Sequence, residues 1–177
     1  MKVTLNHWLT LCLLTIFMTM GCTAVGWAQI APWDIEKLPG TKAPGFSLPD
    51  LTGKTVTSAA FRDKVMLINF WATWCAPCRG EMPALDRLQK QFEDKGLAVI
   101  GISIDSELSQ VEQFIKDSKT QFQILHDPSM KCQDEYKVFA YPTTFLVDRQ
   151  GIIQKYWIGP QEWESEKFKQ ILQSYLP

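Results

Sequence analysis

The stretch INFWATWCAPCRGEMPAL, Ile68–Leu85, decides how this chain is read. It lies on the seam between two patterns. Upstream, KVMLINFWA is rich in aliphatic and aromatic residues and has no charge after Lys64, the signature of a strand buried on both faces. Downstream, Met82, Leu85, Leu88 and Phe92 recur at three- and four-residue steps. That spacing predicts a helix from about Ala76 to Lys95, stopped by Gly96 and kinked at Pro83. Cys75 and Cys78 therefore sit where a buried strand turns into a helix.

That position has chemical meaning. A helix N-terminus carries partial positive charge and unpaired N–H groups, both of which favour thiolate over thiol. The thiolate is the attacking species in disulfide exchange. Cys78 is about one turn beyond Cys75, close enough for the sulfurs to bond. Pro77 needs no N–H donor in the first turn and stiffens it. Trp71 and Trp74 supply apolar cover. The pattern suits an exposed nucleophile, Cys75, and a recessed resolving thiol, Cys78. Three other readings stand beside it: a static disulfide, half of a zinc site, and chance spacing. A staple across one helical turn would be oddly placed. Zinc needs four ligands, and there is no second C-x-x-C or H-x-x-x-H; His126 and Cys132 would complete a set only by coincidence of folding.

The 177 residues suit one domain with an N-terminal appendage. The net charge is −1 and no basic stripe stands out, which argues against nucleic acid as a partner. Residues 1–28 differ from the rest: Lys2 is their only charged side chain, and WLTLCLLTIFMTM, Trp8–Met20, is nearly all apolar. This reads as an export signal cleaved after Gly26-x-Ala28, or as a retained membrane anchor. Lipidation at Cys22 is a third reading, although the usual leucine opening is missing. Each places the protein outside the cytoplasm, periplasmic or on the outer face of the membrane. Cleavage after Ala28 would leave three of the five cysteines, one pair and a spare.

The remaining pattern gives the order of elements. Residues 29–40 read as a linker and 41–177 as the domain. FSLPDLTGKTVTSAAF suggests a hairpin turning at Asp50–Lys54. LAVIGISID reads as a second buried strand, and Ser109-x-x-Glu112 as a capping box opening a helix with Val111, Phe114 and Ile115 inward. FQIL is a short strand, and Asp127-Pro128 leads into a helix near 130–136. TTFLVD and IIQKYWI form a hairpin, and EWESEKFKQILQSYL a closing amphipathic helix. The order implies an α/β domain with a mixed central sheet flanked by helices on both faces.

FWATWCAPCRGEMPAL, GLAVIGISID and YPTTFLVDRQG together resemble the TlpA/ResA family of envelope thiol–disulfide oxidoreductases, from about Ala43 to the C-terminus. The resemblance implies a thioredoxin fold with an added N-terminal β-hairpin, matched by FSLPDLTGKTV, and a central insert, matched by residues 106–128. It implies that Pro142 is cis and that Tyr141 lies against the dithiol. A client segment would then pair along Tyr141–Pro142 beside Trp74, Ala76 and Pro77. Tyr141 is bulkier than the residue usual at that place. Thioredoxin has a buried Asp where this chain has Asn69, which cannot titrate. Glu81, one turn past Cys78, is the candidate proton carrier in its stead; a solvated early-helix glutamate is the plainer reading. Cys132 reads as a buried core cysteine, with a second redox partner as the alternative.

The function implied is an enzyme, a dithiol reductant of disulfide-containing client proteins, recharged by an upstream membrane thiol donor, with apocytochrome c among the clients. No cofactor or metal is implied. A disulfide-forming oxidant would use the same residues, and a non-enzymatic metal-binding or chaperone module is the remaining class. A peroxidatic cysteine of the peroxiredoxin type sits in a P-x-x-x-T-x-x-C context that is absent here.

Overall fold

An antiparallel hairpin, β1 (Ser47–Pro49) and β2 (Thr55–Thr57), opens at the expected turn. The Asp50 carboxylate closes it by accepting from the Thr52 and Lys54 backbone N–H groups at 2.8 and 3.0 Å. The computed structural model describes residues 32–177; the signal or anchor expected at 1–28 lies outside the described residues. Among the described residues no helix is long and apolar enough to cross a membrane.

After the hairpin come β3 (Val65–Trp71), α1 (Ala76–Phe92), β4 (Leu97–Ser103), α2 (Leu108–Ser118) and β5 (Gln123–His126). They are followed by α3 (Lys131–Glu135), β6 (Thr143–Val147), β7 (Ile153–Ile158) and α4 (Glu166–Gln173). The main sheet runs β5-β4-β3-β6-β7. β3, β4 and β5 are parallel neighbours, while β6 pairs antiparallel with β3 and β7 with β6. Both β3 and β4 are buried at every position, as their unbroken apolar runs required.

Strand alternation sends the β3 side chains to two cores. Val65, Leu67 and Trp71 join Met82, Leu85, Leu88 and Phe92 of α1, with Val111 of α2 and Phe168 and Leu172 of α4. Met66, Ile68 and Phe70 join Ile35, Phe46, Cys132 and Tyr136 on the opposite face. Helices thus cover both faces, with the hairpin and α3 on the second. By the same alternation Asn69 points toward α1. Helix α1 runs unbroken through Pro83, and Gly96 ends the segment with φ 85°, a left-handed value that glycine adopts without a Cβ clash.

Three expectations are corrected. The linker assigned to 29–40 is partly built into the domain: Pro32–Lys37 forms a 3-10 helix, and Ile35 is buried in the second core. Gly40 N–H donates to the Ile153 carbonyl at 2.7 Å, and Lys42 bridges to Ile152. One apolar residue per turn, Ile35 then Leu38, was enough to dock a stretch of mixed polarity. The capping box at Ser109 and Glu112 does not form. Glu107 is the extended residue at the helix start, and Ser109 already lies within the first turn, where an N-cap cannot be. The closing helix is shorter than its pattern. It begins after Ser165, whose hydroxyl accepts from Phe168 N–H at 3.3 Å, and that leaves Trp163 in the preceding connection.

Candidate active site

Cys75 is the N-cap of α1, and its sulfur accepts from the Cys78 backbone N–H at 3.3 Å. The two sulfurs are joined in a disulfide, 2.03 Å long. The outer and inner roles fall in the expected order, but Cys75 is less open than expected. It is 6% exposed and Cys78 0%. Both cysteines belong to the core cluster that holds the fully buried Trp71. Trp74, by contrast, stands 62% exposed beside them.

The turn that presents Cys75 is held from β4's end. The buried Asp105 carboxylate accepts from the Thr73 backbone N–H at 3.0 Å, from the Thr73 hydroxyl, and from the Ser103 hydroxyl at 2.7 Å. On the other lip the Tyr141–Pro142 peptide bond is cis. Tyr141 meets Trp74 edge to face, ring centres 5.6 Å apart, and donates its hydroxyl to Gln133 Oε1. The buried Asp127 carboxylate in turn caps α3, accepting from Cys132 N–H at 2.9 Å and Gln133 N–H at 3.2 Å. Both lips are therefore anchored by buried carboxylates at the ends of β4 and β5.

Glu81 is only 5% exposed. Its Oε1 accepts from Asn69 Nδ2 at 2.8 Å. Its Oε2 accepts from Trp163 Nε1 at 2.8 Å and from Gln161 N–H at 3.4 Å. Burial pushes this carboxyl above the usual carboxylate range, against the opposing pull of the three N–H donors. Glu81 also forms part of the floor of an open cleft of about 460 Å³ lined by Pro77, Ala84, Pro160 and Trp163. The solvated reading of Glu81 is thereby set aside.

Cys132 is a free, buried thiol of the second core, on the opposite face of the sheet from Cys75 and Cys78. Burial, and then the nearby Asp127 and Glu135 carboxylates, push it up to about 12. The sheet between them separates it from the dithiol. Sequence reading placed Cys75, Cys78, Glu81, Trp74, Ala76, Pro77, Tyr141 and Pro142 together, and the fold brings them to one end of the sheet. It missed Trp163, Gln161, Asp105 and Gln133. A tryptophan just ahead of a serine N-cap was the one available hint of a side chain left outside the helix.

The model of the AhpC/TSA family matches residues 39–156. Thioredoxin-like protein YneN of Bacillus subtilis is 38% identical over 161 residues, covering 88% of this chain and 91% of the relative. Thiol-disulfide oxidoreductase ResA of Bacillus cereus is 33% identical over 164 residues, covering 91% of each. A solved thiol-disulfide oxidoreductase from Bacteroides fragilis superposes with a TM-score of 0.67 at 30% identity, covering 76% of this chain and 98% of the other. Fold, dithiol position and kinship agree: the chain is a thioredoxin-fold enzyme that belongs to the AhpC/TSA family and, within it, to the TlpA/ResA-like thiol–disulfide oxidoreductases.

Proposed function

We propose that the Cys75–Cys78 couple works as an extracytoplasmic reductant of client disulfides. Cys75, as thiolate, attacks one sulfur of the client disulfide, and the client's other sulfur leaves and takes a proton. Cys78 gives its proton to Glu81 and attacks Cys75 in the mixed disulfide. The Cys75–Cys78 disulfide forms, and the client sulfur bound to Cys75 leaves as a thiolate that takes up a proton from Glu81 or water to become the second client thiol. Two electrons pass to the client, and the enzyme returns to the dithiol by exchange with a membrane thiol donor. Clients lie along Tyr141–Pro142, with Trp74, Ala76 and Pro77 as the facing surface; cysteines of apocytochrome c are candidate clients.

The single observation that carries this reading is the buried Glu81 carboxyl one turn beyond Cys78. It supplies a proton acceptor where Asn69 cannot. It also supports the reducing direction. The helix start favours one thiolate, at Cys75, and a buried carboxylate one turn beyond Cys78 opposes a second negative charge there, which disfavours the fully ionised reduced form.

The test is the equilibrium potential of the couple in a dithiothreitol or glutathione series. A value near that of thioredoxin, about −270 mV, supports the reductant; one near that of DsbA, about −120 mV, makes the protein an oxidant. Export is tested separately, by alkaline phosphatase fused after residue 28, which is active only outside the cytoplasm.

A further inference from the structure

The protein groups that bond the Glu81 carboxyl are all donors. Trp163 Nε1–H and the Gln161 backbone N–H face Oε2, and Asn69 Nδ2–H faces Oε1. An ionised carboxylate satisfies all three. A protonated carboxyl must donate one O–H, and neither an indole nor a backbone N–H can accept it. Among the protein groups that touch the carboxyl, only the Asn69 side chain has an acceptor to offer, and only if its amide turns half-way round.

Two observations favour such a turn. Asn69 is fully buried, yet its Oδ1 has no hydrogen-bond partner. The amide is thus held along one edge alone, and a turn exchanges one unpartnered atom for another instead of breaking a bond on the far side. The second is Thr144, opposite Asn69 in the β3–β6 register, whose Oγ1 accepts from Nδ2 at 2.9 Å. A hydroxyl both donates and accepts, so after the turn it donates to Oδ1 from the same place.

We infer that Asn69 is a positioning residue whose amide turns over as Glu81 gains and loses its proton, presenting nitrogen to the carboxylate and oxygen to the acid. This rests on the proposed role of Glu81 as acceptor of the Cys78 proton. When Cys78 gives up that proton, Glu81 binds it on Oε1 and donates it to Asn69 Oδ1; on release the amide turns back. From the strands come Asn69 and Thr144, both neutral. Helix α1 contributes Cys78. The β7–α4 connection brings Glu162 and Glu164 to the mouth of the cleft, and Glu164 is tied to Arg87 at 2.6 and 2.8 Å.

The experiment is a pH titration of the full-length reduced protein, labelled with ¹³C and ¹⁵N, in detergent micelles. It follows the Glu81 carboxyl carbon and the Asn69 side-chain amide together. The expected result is one shared midpoint, with the nuclear Overhauser contact between the Asn69 amide protons and Trp163 Hε1 present above it and lost below. A contact that persists while Glu81 titrates overturns the inference and leaves the role of Glu81 standing. A Glu81 that does not titrate overturns both. In stopped-flow kinetics, Asn69→Leu, which cannot turn, should slow resolution by Cys78 about tenfold. The rate of Cys75 alkylation should stay unchanged. Resolution at the wild-type rate in that variant also overturns the inference.

Discussion

The described residues hold three cysteines in two opposite environments. Cys75 caps a helix and accepts from a backbone N–H; Cys132 is buried on the far face among carboxylates. Cys75 is 6% exposed and Cys132 4%, so burial alone does not separate them. The charges at each helix start do. Cys132 also lies in a first turn, that of α3, but there the Asp127 carboxylate caps the helix, and Asp127 and Glu135 add to burial in raising the cost of a thiolate. The first turn of α1 holds no acidic residue, so the helix start at Cys75 acts unopposed.

The sharpest way to break that contrast is Cys75→Ser, which should cut insulin reduction by roughly a thousandfold or more, while Cys132→Ser changes it less than about twofold. Comparable losses in both variants would abolish the distinction. Iodoacetamide mapping of the reduced protein should label Cys75 first and Cys132 only in denaturant.

Glu81→Gln should slow resolution by about a hundredfold at neutral pH, with initial attack by Cys75 retained. Glutamine can accept at one oxygen only, so one of the three donors loses its partner. The variant also reports on stability. The Glu81 carboxyl is raised above its ordinary value of 4.5, so the native state binds the extra proton between that value and the folded one. Stability from this group is therefore complete below 4.5 and is lost as pH rises through the folded value. Urea unfolding from pH 4 to 8 should show that downward slope in the wild type and its loss in Glu81→Gln.

Trp74→Ala probes the exposed lip. Stability should move by less than about 0.5 kcal/mol, because the ring is largely in solvent. KM for protein clients should rise, about fivefold, with the rate toward small disulfides unchanged. The smallest effect belongs to Cys132→Ala: a loss of about 1 kcal/mol in denaturant unfolding, with no change in turnover.

Much of this was legible because it is local. A buried strand running into a helix pattern located the dithiol, and three-residue spacing put Glu81 on the same helix face as Cys78. What the chain conceals is contact at long range. Trp163 reaches Glu81 across 82 residues, and Asp105 reaches Thr73 across 32. Neither is marked by spacing, since a strand end and a loop meet only after the sheet has formed. Ser109 failed for the opposite reason. Its local pattern was right, but the helix had already begun at Leu108, where Val111 could face the core.

The bridge from Lys42 to Ile152 has an orientational consequence. It fastens the incoming chain beside the β6–β7 turn, at the rim where β3 begins, whereas the sulfurs lie where β3 ends. Seven residues of strand separate those rims, roughly 20 Å. A body moored by its leading segment would hold its reactive mouth facing away from the mooring, toward whatever diffuses past.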